Sequence, residues 1–379
     1  MIQTFTGTWL RVVRKAGLAT VLLLTLATAP VWSIGRILYV EGDVQLLRNG
    51  RVLDQFQISP GEALQEMDVL QTGFDGYVEV ELTVNGRTEV RIRENTAWYV
   101  EVVEGSGGGT EARLKLLNGS VEMAVRQVSR GSSVSVETRS AVFGVRGTEF
   151  DVLTAPDESS LLGVRSGRIA VGAMGREAIA NAGVAVQVES DQAPQQVQVP
   201  DGDFDRLYST WTEMRLQVFR SGAATFNRAY ARRFEDTVGE FETARRELMR
   251  FRDRLNTALE NQSSLGQDMR LRTEISPAMI RVRSILPLFE DTVYRLRELR
   301  RYHDQGIGQT NINGQTSRQF FTAFAARENQ LMAQLSEVRG MLAMYAELER
   351  RSFGGLPSGP GGGSTSPFGG GSLLDSPRF

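Results

Sequence analysis

The sequence contains no cysteine and a single histidine, His303, among its 379 residues. Without cysteine the chain cannot form a disulfide, use a thiolate nucleophile, bind a metal through sulfur or carry a lipid on an N-terminal cysteine. One histidine cannot build a multi-histidine metal site, and no pattern around it indicates a Ser-His-Asp triad. We predict that His303 ends a helix, where a positive charge complements the macrodipole. We expect no catalytic residue, metal site or cofactor.

A concentration of positive charge is also missing. Lysine and arginine total 43 against 45 aspartate and glutamate residues, and the formal net charge is −2. Proteins that bind nucleic acid carry a basic patch or stripe that neutralises phosphates. We therefore do not expect nucleic acid as a partner.

The N-terminal segment has the pattern of an export signal. Arg11, Arg14 and Lys15 precede an almost wholly apolar run over residues 16–29, as in the charged and apolar regions of a signal peptide. Pro30 disfavours cleavage after Ala29, so we predict a signal peptide over 1–33 and a location in the periplasm or cell envelope. The alternative is an uncleaved anchor, although the run is shorter than the roughly 20 residues of a spanning helix. Only in that case do we expect contact with the membrane.

Residues 34–192 have the two-residue period of β-strands. Val78, Val80 and Leu82 alternate with Glu79 and Glu81, which predicts a hairpin with one buried face and one solvated face. Its turn is Asn85–Gly86. The two glutamates are interpreted as cross-strand partners of arginines and not as an acid–base pair.

A weak internal repeat lies further along this region. Leu117–Asn118–Gly119–Ser120–Val121 recurs as Arg165–Ser166–Gly167–Arg168–Ile169, each a turn glycine followed by a strand. Repeated strand-turn-strand units favour an all-β domain that is a sandwich or roll of short strands.

Residues 203–352 have the 3.6-residue period of helices, after a linker at 193–202. We predict three helices in an antiparallel bundle or coiled-coil hairpin. The first runs for about 58 residues from Asp203, unless Gly222 breaks it. Asp203 is interpreted as a helix cap and not as part of a calcium loop. The second begins with Ser276 and Pro277, and the third with a capping box of Thr316 and Gln319. Residues 353–379, rich in Gly, Ser and Pro, are predicted to be a disordered tail.

The tail closes on Leu373–Leu374 and Phe379. These apolar residues are interpreted as a frayed end, with a short docking peptide as the alternative.

The stretch from Ser140 to Val152 joins two strand patterns. Gly144 and Gly147 interrupt an apolar run that continues to Phe150. Glycine reaches positive φ without steric cost, so the stretch predicts a tight crossing of the chain. We interpret Gly144, Gly147 and Phe150 as a structural signature. Arg146, Thr148 and Glu149 are candidate binding residues, for which a structural role is the preferred interpretation.

Several strings together resemble the FecR-type periplasmic domain. They are residues 35–44, residues 69–73, the string from Thr138 to Phe150 that contains Val-Arg-Gly-Thr-Glu-Phe, and Gly167–Arg168–Ile169. The resemblance implies a β-rich envelope domain, best known from a membrane sensor that relays iron-siderophore signals to a sigma factor. That sensor carries a cytoplasmic sigma-binding domain, whereas only about 15 residues precede the apolar run here. The chain therefore resembles a stand-alone exported version.

These features predict a non-enzymatic binding or scaffold protein of the cell envelope. Its β-domain would engage an envelope protein or cell-wall glycan, and its helices would mediate spacing or self-association. The alternative is a membrane-anchored signal transducer related to the iron-siderophore sensors. An enzyme acting on cell-wall polymer is a third possibility, but it needs carboxylates that converge in a cleft.

Overall fold

The computed structural model describes residues 33–104, 109–261 and 264–353. The predicted signal peptide, up to residue 32, and the Gly/Ser/Pro-rich tail from residue 354 lie outside the described residues. Within these ranges no helix is both long enough and apolar enough to cross a bilayer.

Alternating apolar residues build two nine-stranded sheets, A and B, that pack face to face. Sheet A contains, in spatial order, β18 (Gln195–Val197), β17 (Ala185–Val188), β14 (Ser160–Ser166), β13 (Glu149–Thr154), β10 (Ser120–Val128), β7 (Gly86–Ile92), β6 (Tyr77–Leu82), β1 (Ser33–Glu41) and β4 (Ala63–Gln65). Sheet B contains β16 (Arg176–Asn181), β15 (Arg168–Ala173), β12 (Val142–Val145), β11 (Ser133–Glu137), β9 (Thr110–Asn118), β8 (Ala97–Glu104), β5 (Val69–Thr72), β2 (Val44–Arg48) and β3 (Arg51–Asp54). The chain passes repeatedly from one sheet to the other, and the predicted sandwich is confirmed.

Two glycines of the internal repeat lie where the chain changes sheets. Gly119, with φ of +89°, joins β9 of sheet B to β10 of sheet A, and Gly167, with φ of +82°, joins β14 to β15. A Cβ at Gly119 would lie 2.5 Å from the Cα of Thr96, and one at Gly167 would lie 2.7 Å from the carbonyl oxygen of Gly147. Both positions therefore need glycine for conformation and for space.

The structure confirms the predicted hairpin, which is formed by β6 and β7. Val80 pairs with Val90 in the core, while Glu79 pairs with Arg91 on the outer face. Arg36 lies 2.8 Å from one carboxylate oxygen of Glu81, and Arg87 lies 2.9 Å from the other. The glutamates are thus partners of arginines, as the alternation predicts.

Among the described residues the helical region has four α-helices, one more than predicted. They are α1 (Phe204–Met249), α2 (Arg252–Glu260), α3 (Leu265–Asp304) and α4 (Ser317–Phe353). The prediction of a single 58-residue helix was wrong, because α1 ends at Met249 and the chain turns there. After the turn, Leu255 of α2 packs in the apolar cluster that the helices share. A small hairpin, β19 (Asn311–Ile312) with β20 (Gln315–Thr316), connects α3 to α4, and β18 lies inside the predicted linker.

The start predicted for the second helix was also wrong. The helix begins at Leu265, capped by a box of Ser264 and Gln267, and runs through Pro277. An internal proline costs about 3 kcal/mol. Pro277 lies on the exposed side, while Ile275 and Met279 are buried, so tertiary packing outweighs that cost.

The caps of the other two long helices are confirmed. The carboxylate of Asp203 accepts a hydrogen bond from the Arg206 amide at 3.0 Å. The Gln319 amide donates to the Thr316 hydroxyl at 3.3 Å, and the Thr316 amide donates back to the Gln319 side chain at 2.9 Å.

His303 lies in the last turn of α3, as predicted. It is buried, with Nε2 2.9 Å from the Ser317 hydroxyl. Burial lowers the pKa of His303, so the imidazole is neutral at pH 7 and does not supply the positive charge expected at this helix end.

The helices pack on the outer face of sheet B and on part of the outer face of sheet A. Helix α1 begins on sheet A, where Leu207 and Trp211 pack on Leu161 and Ala185. Farther along, α1 lies antiparallel to α3, with the Phe241 and Phe289 rings stacked 4.1 Å apart. Residues of α1, α3 and α4 share one apolar cluster with four residues of sheet B: Leu47, Val69, Ala97 and Tyr99.

Candidate functional site

The stretch centred on Gly147 carries the chain from sheet B to sheet A. Strand β12 ends at Val145, and β13 begins at Glu149. Val145 and Phe150 are both buried between the sheets. Gly147 has a φ of +61°, which favours glycine at the crossing.

The three candidate binding residues of this stretch face different surroundings. Arg146 is exposed, and within the described residues no hydrogen bond or ion pair holds it. Thr148 is buried, and its hydroxyl has no hydrogen-bond partner there. Glu149 is half-buried and pairs with Arg126. The structure does not bring them together in one cleft, and their binding role stays a prediction.

Strand β13 leads from this stretch into a turn, Ala155–Ser159, that we call the clamp turn. All five residues are buried. The Ala155 amide donates to the Ser159 carbonyl at 2.9 Å, and the Glu158 amide donates to the Ala155 carbonyl at 2.9 Å. Glu158 has a φ of +72°, an unfavourable conformation for a non-glycine residue, which only surrounding contacts can maintain.

Helices α1 and α3 supply those contacts. Arg215 Nε of α1 donates to Asp157 Oδ2 at 2.8 Å, and the Tyr230 hydroxyl of α1 donates to Glu158 Oε1. Arg295 Nη1 of α3 donates to the Ala155 carbonyl at 3.2 Å. One turn of the β-domain thus fixes the position of two helices.

Arg139, in the loop between β11 and β12, belongs to the same network. Its Nε lies 2.8 Å from Glu158 Oε2, and its Nη1 lies 2.5 Å from Asp291 Oδ2 of α3. The neighbouring Ser140 hydroxyl is 2.7 Å from that of Ser160. Arg139 therefore connects the loop between β11 and β12, the clamp turn and α3.

A cavity of about 460 Å³ opens beside the clamp turn, between the β-domain and α1. We call it the β–α cleft. It is lined by Arg139, Ser140, Glu158, Met174, Ser190, Asp191, Thr225, Phe226, Ala229, Tyr230 and Arg233. The guanidinium of Arg233 lies 4.6 Å from the centre of the Tyr230 ring, a cation–π contact that holds both side chains at the cavity wall.

Glu158, Arg139 and Arg233 of the cleft wall all take part in ion pairs. Burial by itself would raise the pKa of Glu158, but hydrogen bonds from Tyr230 and Arg139 outweigh that effect and lower it. Burial raises the pKa of Asp291, and the charge of Arg139 opposes that rise. Arg233 Nη1 lies 3.5 Å from Asp291 Oδ2. Carboxylates held by arginine and tyrosine are suited to positioning and recognition, because a general acid or base needs a proton that it can exchange near neutral pH.

A second polar network joins sheet B to α3 and α4. The Tyr99 hydroxyl donates to Glu290 Oε2 at 2.9 Å, and Arg339 pairs with the other oxygen of Glu290. The Gln71 amide donates to the Tyr294 hydroxyl at 2.9 Å. Burial lowers the pKa of Arg339 to about 10, so the guanidinium stays charged at neutral pH.

Sequence reasoning missed both networks. Arg139 lies in the family string from Thr138 to Phe150, and that string predicts no role for it. Asp157 and Glu158 have the sequence of an exposed turn, because acidic residues beside Pro156 are typical of one. The position of Arg139, directly before the glycine-bearing stretch, was the one available signal.

Comparison with known proteins supports the FecR-type resemblance. Residues 68–170 match the family model described as FecR protein. This range extends from β5 into the first residues of β15 and includes the clamp turn. The recognition of a FecR-type domain is confirmed over those residues. No curated protein matches the chain.

Two solved structures of a candidate anti-sigma factor from Parabacteroides distasonis ATCC 8503, at 1.65 and 2.50 Å resolution, are similar to part of the chain. The identities are 16% and 17%, and each TM-score is 0.29. In both comparisons the match covers 34% of this chain and 59% of that chain. At this level the likeness carries no argument about function.

Proposed function

We propose that the protein is a non-enzymatic binding protein of the cell envelope that engages its partner at the β–α cleft. The observation that carries the proposal is the clamp turn. It fixes α1 and α3 against the FecR-type domain, and it forms one wall of a cavity that both regions line. A cavity between two packed regions is a common place for a binding site.

The size and chemistry of the cleft favour a short polar segment as occupant. Its volume of about 460 Å³ lies within the 300–1,000 Å³ range of ligand sites. Arginine and carboxylate groups lie beside Phe226 and exposed Met174. Such a surface can bind a loop of an envelope protein or a few units of a cell-wall glycan, through hydrogen bonds and one apolar contact.

In this proposal the helices are part of the binding unit and not only a spacer. They line the cleft and cover sheet B, so they complete the binding unit. Spacing and self-association would use the helical faces that remain exposed. As part of this proposal, the N-terminal segment would export the protein to the periplasm or elsewhere in the envelope.

The proposal is tested by photo-crosslinking in intact cells. A photoreactive residue at Met174, on the cleft wall, should capture a partner, whereas the same residue at exposed Phe56, in the turn between β3 and β4, should not. Digestion of the adduct with a muramidase distinguishes glycan from protein. Equal capture at both positions, or at neither, would contradict a cleft-based binding function.

A second candidate function is an anchored signal relay, and the FecR match over 68–170 favours it. In that case the N-terminal segment stays uncleaved as an anchor. Amino-terminal sequencing of the native protein decides between the two, because a mature start near Ile34 excludes an anchored relay.

A further inference from the structure

One exposed face of α3 lacks charged residues. Its positions follow one another at intervals of three and four, so they lie on one side of the helix. They are Leu265, Met269, Thr273, Ser276, Ile280, Ser284 and Pro287. We call this face the α3 stripe. It extends for about 33 Å at 1.5 Å per residue.

The stripe is unusual for a solvated helix face, which normally carries charged side chains. Leu265 is 46% exposed, Met269 56% and Ile280 46%. Charged residues of α3 lie to either side: Arg281 pairs with Glu247 of α1, and Arg283 lies over the Tyr345 ring of α4. Uncharged, partly apolar surface of this length is typical of a face that another segment covers.

The end of α4 lies beside the start of the stripe. Arg351 Nη1 donates to the Leu259 carbonyl at the end of α2 at 2.8 Å. Glu349 pairs with Arg272, three residues after Met269, at 3.2 Å. The chain beyond α4 therefore starts within a few turns of Leu265 and Met269.

That following segment has the composition of a linker with an apolar end. Residues 354–372 are dominated by Gly, Ser and Pro, and Leu373, Leu374 and Phe379 come after them. A Gly/Ser-rich linker of about 19 residues has a root-mean-square span of roughly 25 Å, which is enough to reach the stripe. A tethered ligand experiences a millimolar effective concentration, so weak apolar contact suffices for binding.

We propose that residues 372–379 of the same chain bind the α3 stripe, with Leu373 and Leu374 on Leu265 and Met269. The linker at 354–371 would connect this short peptide to α4. In this bound form the tail covers the uncharged start of the stripe and keeps it from other partners.

Disulfide trapping in the full mature chain tests the proposal, and the absence of native cysteine removes any background. Met269→Cys is combined with Ser372→Cys. Its control combines Arg270→Cys with Ser372→Cys, because Arg270 is exposed and adjacent but lies off the stripe. We expect intramolecular disulfide to form several-fold faster in the Met269 variant.

Adding Leu373→Glu and Leu374→Glu to both variants should make their rates of intramolecular disulfide formation equal, because burying a carboxylate against an apolar face is unfavourable. Circular dichroism checks that each variant is folded. Equal rates without those glutamates would overturn the proposal, as expected for an unbound tail. Disulfide-linked dimers without intramolecular product would overturn it in favour of a second copy on the stripe.

Discussion

The two faces of sheet B differ in what they bury. The inner face packs on sheet A through apolar residues such as Val136 and Phe143, both fully buried. The outer face packs on the helices through apolar residues together with polar ones, and Tyr99 and Gln71 form hydrogen bonds to Glu290 and Tyr294.

This difference separates the contacts that stabilise the protein from those that fix the positions of its helices. Apolar packing is non-directional and supplies most of the free energy of folding. Buried hydrogen-bonded charges add little net stability, but they penalise any arrangement in which a partner is missing. We infer that the inner layer stabilises the β-domain, and that the outer network fixes how the helices sit on it.

The largest effect is expected in the inner layer. Phe150 is fully buried between the sheets, so Phe150→Ala should lower the free energy of unfolding by about 4 kcal/mol through lost burial and a cavity. Urea denaturation measures it. Phe56→Ala, at an 86% exposed position, is the control and should change stability by less than about 0.5 kcal/mol. A cost below about 1.5 kcal/mol for Phe150→Ala would mean that the two layers do not differ as we infer.

A slightly smaller effect is expected at the outer network. Arg339→Ala leaves Glu290 buried without its cation and should cost about 3 kcal/mol in urea denaturation. The double variant Arg339→Met with Glu290→Leu removes both charges and should recover most of that stability. If the double variant is as unstable as Arg339→Ala, the lost stability comes from side-chain packing and not from an unpaired charge. The outer network would then stabilise the protein in the way that we assign to the inner layer.

The clamp turn should give an acid-dependent effect. Because hydrogen bonds lower the pKa of Glu158 in the folded state, its ionised form stabilises folding above the unfolded pKa of about 4.3. This contribution is lost as pH falls through the lower folded pKa. At pH 7 the free energy of unfolding of wild type should therefore exceed that of Glu158→Gln by about 1–2 kcal/mol.

The gap in unfolding free energy between wild type and Glu158→Gln should begin to close below about pH 4.3 and continue to close as pH falls through the lower folded pKa. Thermal or urea unfolding across pH 7 to 3 measures it. Burial and the charge of Glu158 both raise the pKa of Asp291, so Glu158→Gln relieves part of that rise, which narrows the gap at pH 7. A gap that stays constant over this range would show that the charge of Glu158 does not hold the turn.

The smallest effect is expected at Arg146. Its side chain is exposed at the crossing between β12 and β13, so Arg146→Ala should change stability by less than about 0.5 kcal/mol. Differential scanning calorimetry beside wild type checks this. A larger loss would show that Arg146 has a structural role at the crossing, and loss of partner binding in a folded variant would support the binding role.

Much of the fold could be predicted from local patterns. The Val/Glu alternation placed the β6–β7 hairpin, Gly119 and Gly167 marked turns that precede strands, and Asp203 and Thr316 marked helix starts. The prediction failed at the break after Met249 and at Pro277. There, packing between distant segments outweighs local preference.

The candidate site could be predicted far less well. The FecR-type string drew attention to Arg146, Thr148 and Glu149, whereas the cleft is formed by Arg139, the clamp turn and α1. Nothing in a local pattern distinguishes the arginines of α1 and α3 that contact the clamp turn from those that face solvent.

The sequence by itself determined the alternation of strands, the caps of the helices and the order of a β-region followed by an α-region, because each depends on residues a few positions apart. The tertiary structure decided which charges are buried and with whom. Arg215 and Asp157 are 58 positions apart, and Tyr99 and Glu290 are 191 apart. The pairing of such groups depends on how the helices pack on the sheets, and this packing arises from apolar contacts summed over the whole molecule.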